Sequence, residues 1–370
     1  MPKSVTAPPA YIQARWQAAR MRLKETRAAA LLVSYYPDVS WLTGFEGDDS
    51  WALLTADSVW LISDFRYVEQ IDRECPWVNV VMRKKRLSEE LIKICKKLKI
   101  RLLAVQEESV TLYQHAAIQA FTRPAGIRLQ PVREILVQLR NIKDDHEIAL
   151  IEQAITIAER SFETLKAHLE IGQTENEIAG LLVYEMRRRG AANASFDPIV
   201  AVGPNGSLPH YRPGAVKLQN TSPLLVDWGA LFSGYRSDLT RMIFMGDPPP
   251  KIREIYQIVL AAQEAAIDSI RPGVPGRKID KIARNIITRA GYGQRFGHGL
   301  GHGIGRDIHE TVSLSQQSEV ILQAGMVVTV EPGIYIPGIG GVRIEDDILV
   351  TDRGGRVLST LPKTINAAQR

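Results

Sequence analysis

Four carboxylates and three histidines in the C-terminal half of this 370-residue chain stand where they could hold divalent cations. Asp227 and Asp238 lie in LLVDWGALFSGYRSDLTRMIF; Glu331 and Glu345 lie in VVTVEPGIYIPGIGGVRIEDDILV. A carboxylate inside an apolar, β-branched run is costly unless it is paired or ligated. Each stretch is an apolar run, a Gly-containing turn and a second apolar run, the pattern of a hairpin. Asp227 and Asp238 are equidistant from a centre between Phe232 and Ser233, and Glu331 and Glu345 from Gly338. In those registers each hairpin sets two carboxylates opposite one another, with Cβ atoms ~4.5–5.5 Å apart. Between the hairpins lies HGLGHGIGRDIH, carrying His298, His302 and His309. Its glycines argue against a helix, and on an extended chain His298 and His302 share a face. Four acids and a histidine converging on one point suit two divalent cations, whose charge would balance that of the carboxylates. A water between two such ions is a nucleophile at neutral pH. The oxygen-rich set favours Mn2+, with Co2+, Zn2+ and Fe2+ also compatible.

The neighbours of these residues sharpen the picture. Pro332 removes a backbone donor and forces Glu331 to be presented from an extended, kinked chain. Arg343 precedes Glu345 by two positions, so on a strand both face one side. Asp346 and Asp347 alternate away, and at least one of them is expected to be exposed or structural. His210 sits in GSLPHYRPG, a Pro/Gly-rich loop before the first hairpin. His115, His146 and His168 have no comparable surroundings and read as structural or surface residues.

The elements that must position this set are visible in the periodicity. From 144 onward, apolar residues at 148, 151, 155, 158, 162, 165 and 169 mark an amphipathic helix capped by Asp144 or Asp145. Thr174 with Glu177 is a capping box opening a second helix that stops at Gly190. The same phrase recurs about a hundred residues later. Gly172 aligns with Gly273, Ile178 with Ile279, Arg188 with Arg289 and Gly190 with Gly291. Helix, break, helix, Gly and acidic hairpin therefore occur twice, which predicts two equivalent halves meeting at the carboxylates. Residues 139–370 are expected to form one α+β domain around an antiparallel sheet. Residues 1–138 read as a separate α/β unit. It has a helix over 11–29, a strand over 29–36, a hairpin around Ala56-Asp57-Ser58, a helix over 87–99 and a strand over 101–105.

Composition, 45% apolar and 24% charged, is that of a globular protein able to bury a sizeable core. A net charge of +5, with basic runs unaccompanied by aromatics, reads as solvated helix faces and not as a nucleic-acid surface. The opening MPKSVTAPPAYIQARW has no apolar signal core, and no stretch is long and apolar enough to span a membrane. Two cysteines are too few for a disulfide framework, so a reducing compartment, the cytoplasm, is expected.

Taken together, VDWGALFSGYRSDLTR, HGLGHGIG, TVEPGIY and VRIED resemble the pita-bread metallopeptidases, in particular their Xaa-Pro peptidase branch of aminopeptidase P and prolidase. The N-terminal DVSWLTGF and LISDFRY resemble the creatinase-type domain that accompanies that branch and is absent from simple methionine aminopeptidases. Creatinase itself shares the architecture but does not use the metal centre. The resemblance implies a pita-bread catalytic domain preceded by a creatinase-like domain. It also implies a dinuclear centre held by Asp227, Asp238, His302, Glu331 and Glu345, with Asp238 and Glu345 bridging. Glu331 would accept the proton of the attacking water, His309 would polarise the scissile carbonyl, and His298 and His210 would contact substrate around proline. Arg343 would orient the carboxylates. The implied reaction is hydrolysis of the bond before a penultimate proline, in a protein that commonly dimerises. Many prolidase-like members carry an Arg four residues after the histidine matching His309; here Ser313 stands there. That departure tilts the reading toward an Xaa-Pro aminopeptidase, with the Xaa-Pro dipeptidase as the alternative. Methionine aminopeptidase and a metal-free binding module of the same shell are remoter alternatives.

Overall fold

The computed structural model describes residues 6–370; the first five, part of the opening stretch read above for a signal core, lie outside it. The chain divides into two compact units, the first ending at Arg140 and the second running Asn141–Arg370.

The first unit is built on a six-stranded sheet. Its strands are β1 (Ala30–Val33), β2 (Trp51–Thr55), β3 (Val59–Ser63), β4 (Asn79–Met82), β5 (Leu102–Gln106) and β6 (Arg128–Val132), in spatial order β4-β3-β2-β1-β5-β6. Among the described residues, six α-helices accompany it: α1 (Ala10–Lys24), α2 (Tyr36–Thr43), α3 (Val68–Glu74), α4 (Leu87–Lys97), α5 (Leu112–Thr122) and α6 (Ile135–Arg140). Strand β1 is buried throughout. Leu31 and Val33 pack with Ile12, Trp16 and Leu23 of α1, while Ala30 and Leu32 pack with Leu91, Ile94 and Cys95 of α4. A strand covered on both faces must be apolar at every position, which is why AALLV carries no alternation. The strand expected over 29–36 stops at Val33. Pro37 in the first turn of α2 and Gly44 at its left-handed end, φ 83°, punctuate a helix where apolar content alone suggested more strand. Helix α6 completes this unit, so the division falls after Arg140 and not after 138.

The second unit shows the repeat directly. Its first half holds α7 (Asp145–His168), α8 (Glu175–Arg188), β7 (Asn193–Ala194), β8 (Ile199–Val202), β9 (Pro223–Trp228), β10 (Ala230–Phe232), β11 (Tyr235–Arg236) and β12 (Leu239–Phe244). Its second half holds α9 (Pro250–Ser269), α10 (Gly276–Arg289), β13 (Gly301–Gly303), β14 (Glu310–Leu314), β15 (Val327–Val330), β16 (Gly333–Ile336), β17 (Gly340–Arg343), β18 (Asp346–Thr351) and β19 (Gly354–Val357). A short α11 (Ile365–Ala368) follows. Both expected N-terminal caps form, Asp144 with Glu147 on α7 and Thr174 with Glu177 on α8. The glycines that the repeat aligns share a left-handed backbone: Gly172 and Gly273 at φ 94° and 85°, Gly190 and Gly291 at 98° and 87°. Each pair breaks the chain at the same point of its half, where a side chain would be strained.

The two main sheets, β12-β9-β8 and β14-β13-β15-β18-β19, are antiparallel. Helices α7 and α8 seal one core against β9 and β12, and α9 and α10 seal another against β15 and β18. An isolated bridge between Thr240 and Glu345 ties the halves together beside the four acids.

Candidate metal centre

The two hairpins do not carry their acids in the same way. In the second, Val330 pairs with Asp346 and Gly333 with Arg343, so the register is centred on Gly338 as expected. In the first, Asp227 pairs with Thr240 and not with Asp238. Ser233 and Gly234 both have positive φ, 46° and 77°, which makes a two-residue turn centred one position later than the symmetry of the acids suggests. Asp238 falls in the break between β11 and β12, where its N–H donates to Asp347 Oδ2 at 3.0 Å. The expectation that each hairpin faces its acids across the ladder is therefore corrected for the first.

All five expected ligands nevertheless line one cavity of about 400 Å³, together with His210, His298, His309 and Arg343. Ligand atoms of Asp238, His302 and Glu345 lie within 4.8 Å of one another. His302 Nε2 is 3.6 Å from both Asp238 Oδ2 and Glu331 Oε1. Its Nδ1 meets the Gly303 carbonyl at 3.1 Å. A carbonyl only accepts, so Nδ1 carries the proton and Nε2 presents a lone pair to the acids. The register between β13 and β14 slips just after His302, the local irregularity that aims this ring. Gly301 is required one step earlier, since a Cβ there would lie 2.0 Å from the Thr329 carbonyl on β15. The glycines of HGLGHG thus bring this strand close to its neighbour, in addition to lining the cavity.

Electrostatics single out the same group. Asp238, Glu345 and Asp227 are 5%, 1% and 7% exposed. Burial, then the carboxylates of Glu345, Asp227, Asp347 and Glu331, hold Asp238 well above the ordinary carboxylate range. Burial, then Glu331 and Asp227, does the same to Glu345. Burial pushes Glu331 up to about 8. Asp227 is raised by burial against the pull of Arg343, and its Oδ1 is buried without a hydrogen-bond partner. An orphaned buried oxygen beside mutually repelling acids and a histidine lone pair is a donor set that fits divalent cations.

Arg343 is the organiser. Its Nη2 donates to Asp227 Oδ2, its Nη1 to the Tyr335 hydroxyl at 2.8 Å and its Nε to Thr240 Oγ1 at 3.1 Å. Thr240 Oγ1 in turn donates to Glu345 Oε2 at 2.6 Å. Tyr335 lies 2.9 Å from His298 Nε2, whose Nδ1 meets the Gly299 carbonyl. One guanidinium therefore fixes an acid on each hairpin and, through Tyr335, a histidine. Sequence reasoning missed Tyr335 and Thr240. The first was recoverable, because a hairpin centred on Gly338 makes Tyr335 and Arg343 diagonal neighbours on one face. Asp346 is structural and Asp347 anchors Asp238; neither is exposed. His309 stacks edge-on against His302 at 4.2 Å. His210 lines the mouth from its loop. His168 is on the surface, bonded to the Thr164 carbonyl of its own helix.

Comparison with known proteins agrees with this geometry. Residues 149–352 match the model of metallopeptidase family M24, and residues 15–142 match the creatinase/prolidase N-terminal domain. A Xaa-Pro dipeptidase of Pyrococcus horikoshii is 36% identical over 89% of this chain and 92% of its own. Among solved structures, a Xaa-Pro dipeptidase from Bacillus anthracis superposes with a TM-score of 0.91 at 36% identity, covering 95% of this chain and 99% of that one. An X-Pro aminopeptidase from Thermotoga maritima gives 0.88 at 35% identity, covering 93% and 99%. With its buried acids gathered in a pita-bread domain that follows a creatinase-type domain along the chain, this chain belongs to metallopeptidase family M24 and is a hydrolase.

Proposed function

We propose that this metallopeptidase hydrolyses the bond before proline, with Xaa-Pro dipeptides as its principal substrates. The observation that carries the reading is the meeting of Asp238, His302 and Glu345 ligand atoms within 4.8 Å. The apolar part of their cavity wall is formed by Phe196, Ile199, Pro209, Pro213 and Ile308. Such a wall suits an apolar proline ring. Asp227, Asp238, His302, Glu331 and Glu345 would hold two divalent cations of the Mn2+ class. When bound, the cations act as Lewis acids on the scissile carbonyl and acidify the attacking water. Glu331, fixed by its N–H to the Leu300 carbonyl at 2.8 Å, would take the proton from that water. His309 would face the carbonyl oxygen, and His298 and His210 would bracket the substrate. Two buried free thiols, Cys75 and Cys95, support a reducing compartment such as the cytoplasm.

The preference for dipeptides reverses the tilt taken from Ser313, because relatives that this chain matches over most of their length are named Xaa-Pro dipeptidases. The aminopeptidase reading keeps two supports: the similar X-Pro aminopeptidase of Thermotoga maritima, and Ser313, which pairs with His302 across the β13–β14 ladder and whose small hydroxyl is no carboxylate reader. A panel of Xaa-Pro, Xaa-Pro-Xaa and Met-Ala-Xaa peptides with Mn2+ decides. Fastest turnover of Xaa-Pro is expected. Preference for the tripeptide supports the aminopeptidase, and cleavage of Met-Ala-Xaa alone rejects both.

A further inference from the structure

A Xaa-Pro dipeptide brings a free carboxylate one residue from the scissile bond, so that charge must enter the cavity too. Burying it with no cation nearby is costly. Among the described residues, the cavity's lining includes two arginine side chains, Arg343 and Arg212, and no lysine. Arg343 is 3% exposed and already committed to Asp227, Tyr335 and Thr240. Ser313 offers no charge, and its hydroxyl is directed to Ser315 Oγ at 3.1 Å.

Arg212 differs from Arg343 in both respects. It is exposed at the cavity wall, and its guanidinium has no hydrogen bond or ion pair among the described residues. Its backbone, by contrast, is held firmly. The carboxylate of Glu175, fully buried at the start of α8, accepts from the Tyr211 hydroxyl at 2.8 Å and the Gly214 N–H at 3.0 Å. These anchors flank Arg212. The same carboxylate accepts from the Val202 N–H and Asn205 Nδ2, which locks the loop to the strand that carries it. Pro213 restricts the chain further. A buried acid thus fixes the stem of a guanidinium whose head is uncommitted. A planar, permanently charged fork matched to a carboxylate is what this end of a dipeptide requires.

We infer that Arg212 is the specificity-determining residue that pairs with the C-terminal carboxylate of a Xaa-Pro dipeptide, replacing the Arg that Ser313 displaces. The inference rests on the dipeptidase reading above. It places the carboxylate-binding cation on the HYRPG loop of the first half of the repeat.

The test compares the Mn2+-loaded wild-type protein with Arg212→Met and Arg212→Lys on Ala-Pro and on Ala-Pro amide, which has the same scissile bond but no carboxylate. Loss of a charge-assisted pair should raise the Ala-Pro KM roughly ten- to a hundredfold in R212M. Turnover number should change by no more than about twofold, as for an interaction made equally in ground and transition states. R212K should recover part of the loss, and the amide should be handled alike by all three proteins. An unchanged Ala-Pro KM in R212M overturns the inference, as does an equal rise for the amide, which would mark a structural defect. Failure of the dipeptidase reading looks different: the wild-type protein itself would prefer Ala-Pro-Ala to Ala-Pro, and Arg212 would then be judged on the acid-to-amide comparison alone.

Discussion

Glu345 and Asp346 are neighbours in the chain, both fully or almost fully buried, yet their surroundings are opposite. Asp346 accepts from Arg241 and Lys363, each at 2.7 Å, from Gln263 at 2.8 Å and from the Ser359 hydroxyl. Burial alone would raise its pKa, but Arg241 and Lys363 outweigh burial and hold it below the ordinary range. Glu345 has Thr240 as its hydroxyl donor, and burial, then the facing carboxylates of Glu331 and Asp227, drive it upward. Successive residues of an extended chain point to opposite sides, which is how one strand separates the two environments. The protein supplies two cations to the one acid on one side, and on the other gathers four acids and a histidine around a single arginine, Arg343. A buried carboxylate is therefore a poor marker of a site by itself; what distinguishes the site is that one arginine cannot balance its acids, so most of the counter-charge must come from outside.

Substitution should separate the two sides cleanly. Glu345→Ala is expected to remove several kcal/mol of Lewis-acid stabilisation from the transition state, a fall in kcat/KM of roughly a thousandfold or more. Elemental analysis should show less than the wild-type metal content. Asp346→Ala should instead leave the charges of buried Arg241 and partly buried Lys363 without their carboxylate, at a cost of about 3–5 kcal/mol in denaturant unfolding. Its folded fraction should keep its metal. If Asp346→Ala loses metal while Glu345→Ala only loses stability, the assignment of sides is wrong. Arg343→Lys probes the boundary between them. Lysine cannot span Asp227, Tyr335 and Thr240 at once, so activity or metal affinity should drop by about 10- to 100-fold. Normal activity in that variant would show that the three-way fork is incidental.

Much of this contrast is legible in the amino-acid sequence. The alternation that puts Arg343 beside Glu345 and turns Asp346 away follows from strand geometry alone. Symmetry about Gly338 gave the second hairpin's register because its central turn residue sits on that axis. The same argument failed for the first hairpin, where Ser233 tolerates a left-handed backbone and moves the turn by one residue. Apolar content also over-extended β1 into Tyr35 and Tyr36, because a buried strand and a buried helix start look alike until Pro37 and Gly44 are weighed. Arg241 and Lys363 as partners of Asp346 were out of reach, since 105 residues separate Arg241 from Asp346 and only the folded sheets bring them together. Arg212 went unnoticed for the converse reason: nothing local marks an arginine that the chain leaves unpaired.

The smallest expected effect extends the comparison to the first unit. Asp64 there accepts from the Arg66 N–H at 3.0 Å and from the guanidinium groups of Arg66 and Arg83 at 2.7 and 2.9 Å. It is thus a paired acid like Asp346, although Arg66 is half exposed. The hydrogen bonds from Arg66, then those from Arg83, hold its pKa well below the usual carboxylate range. A depressed folded pKa means that the stabilisation is fully present above the unfolded value, ~3.9, and is lost as pH falls toward the folded one. Asp64→Asn should therefore lower the melting temperature by a few degrees at pH 7, solvent screening keeping the effect modest. The gap between the two proteins should narrow steadily as the solution is acidified below about pH 4. Thermal melts across that range check the sign. A gap that widened on acidification would mean that Asp64 behaves as the crowded acids do, and that its arginines are not what holds it.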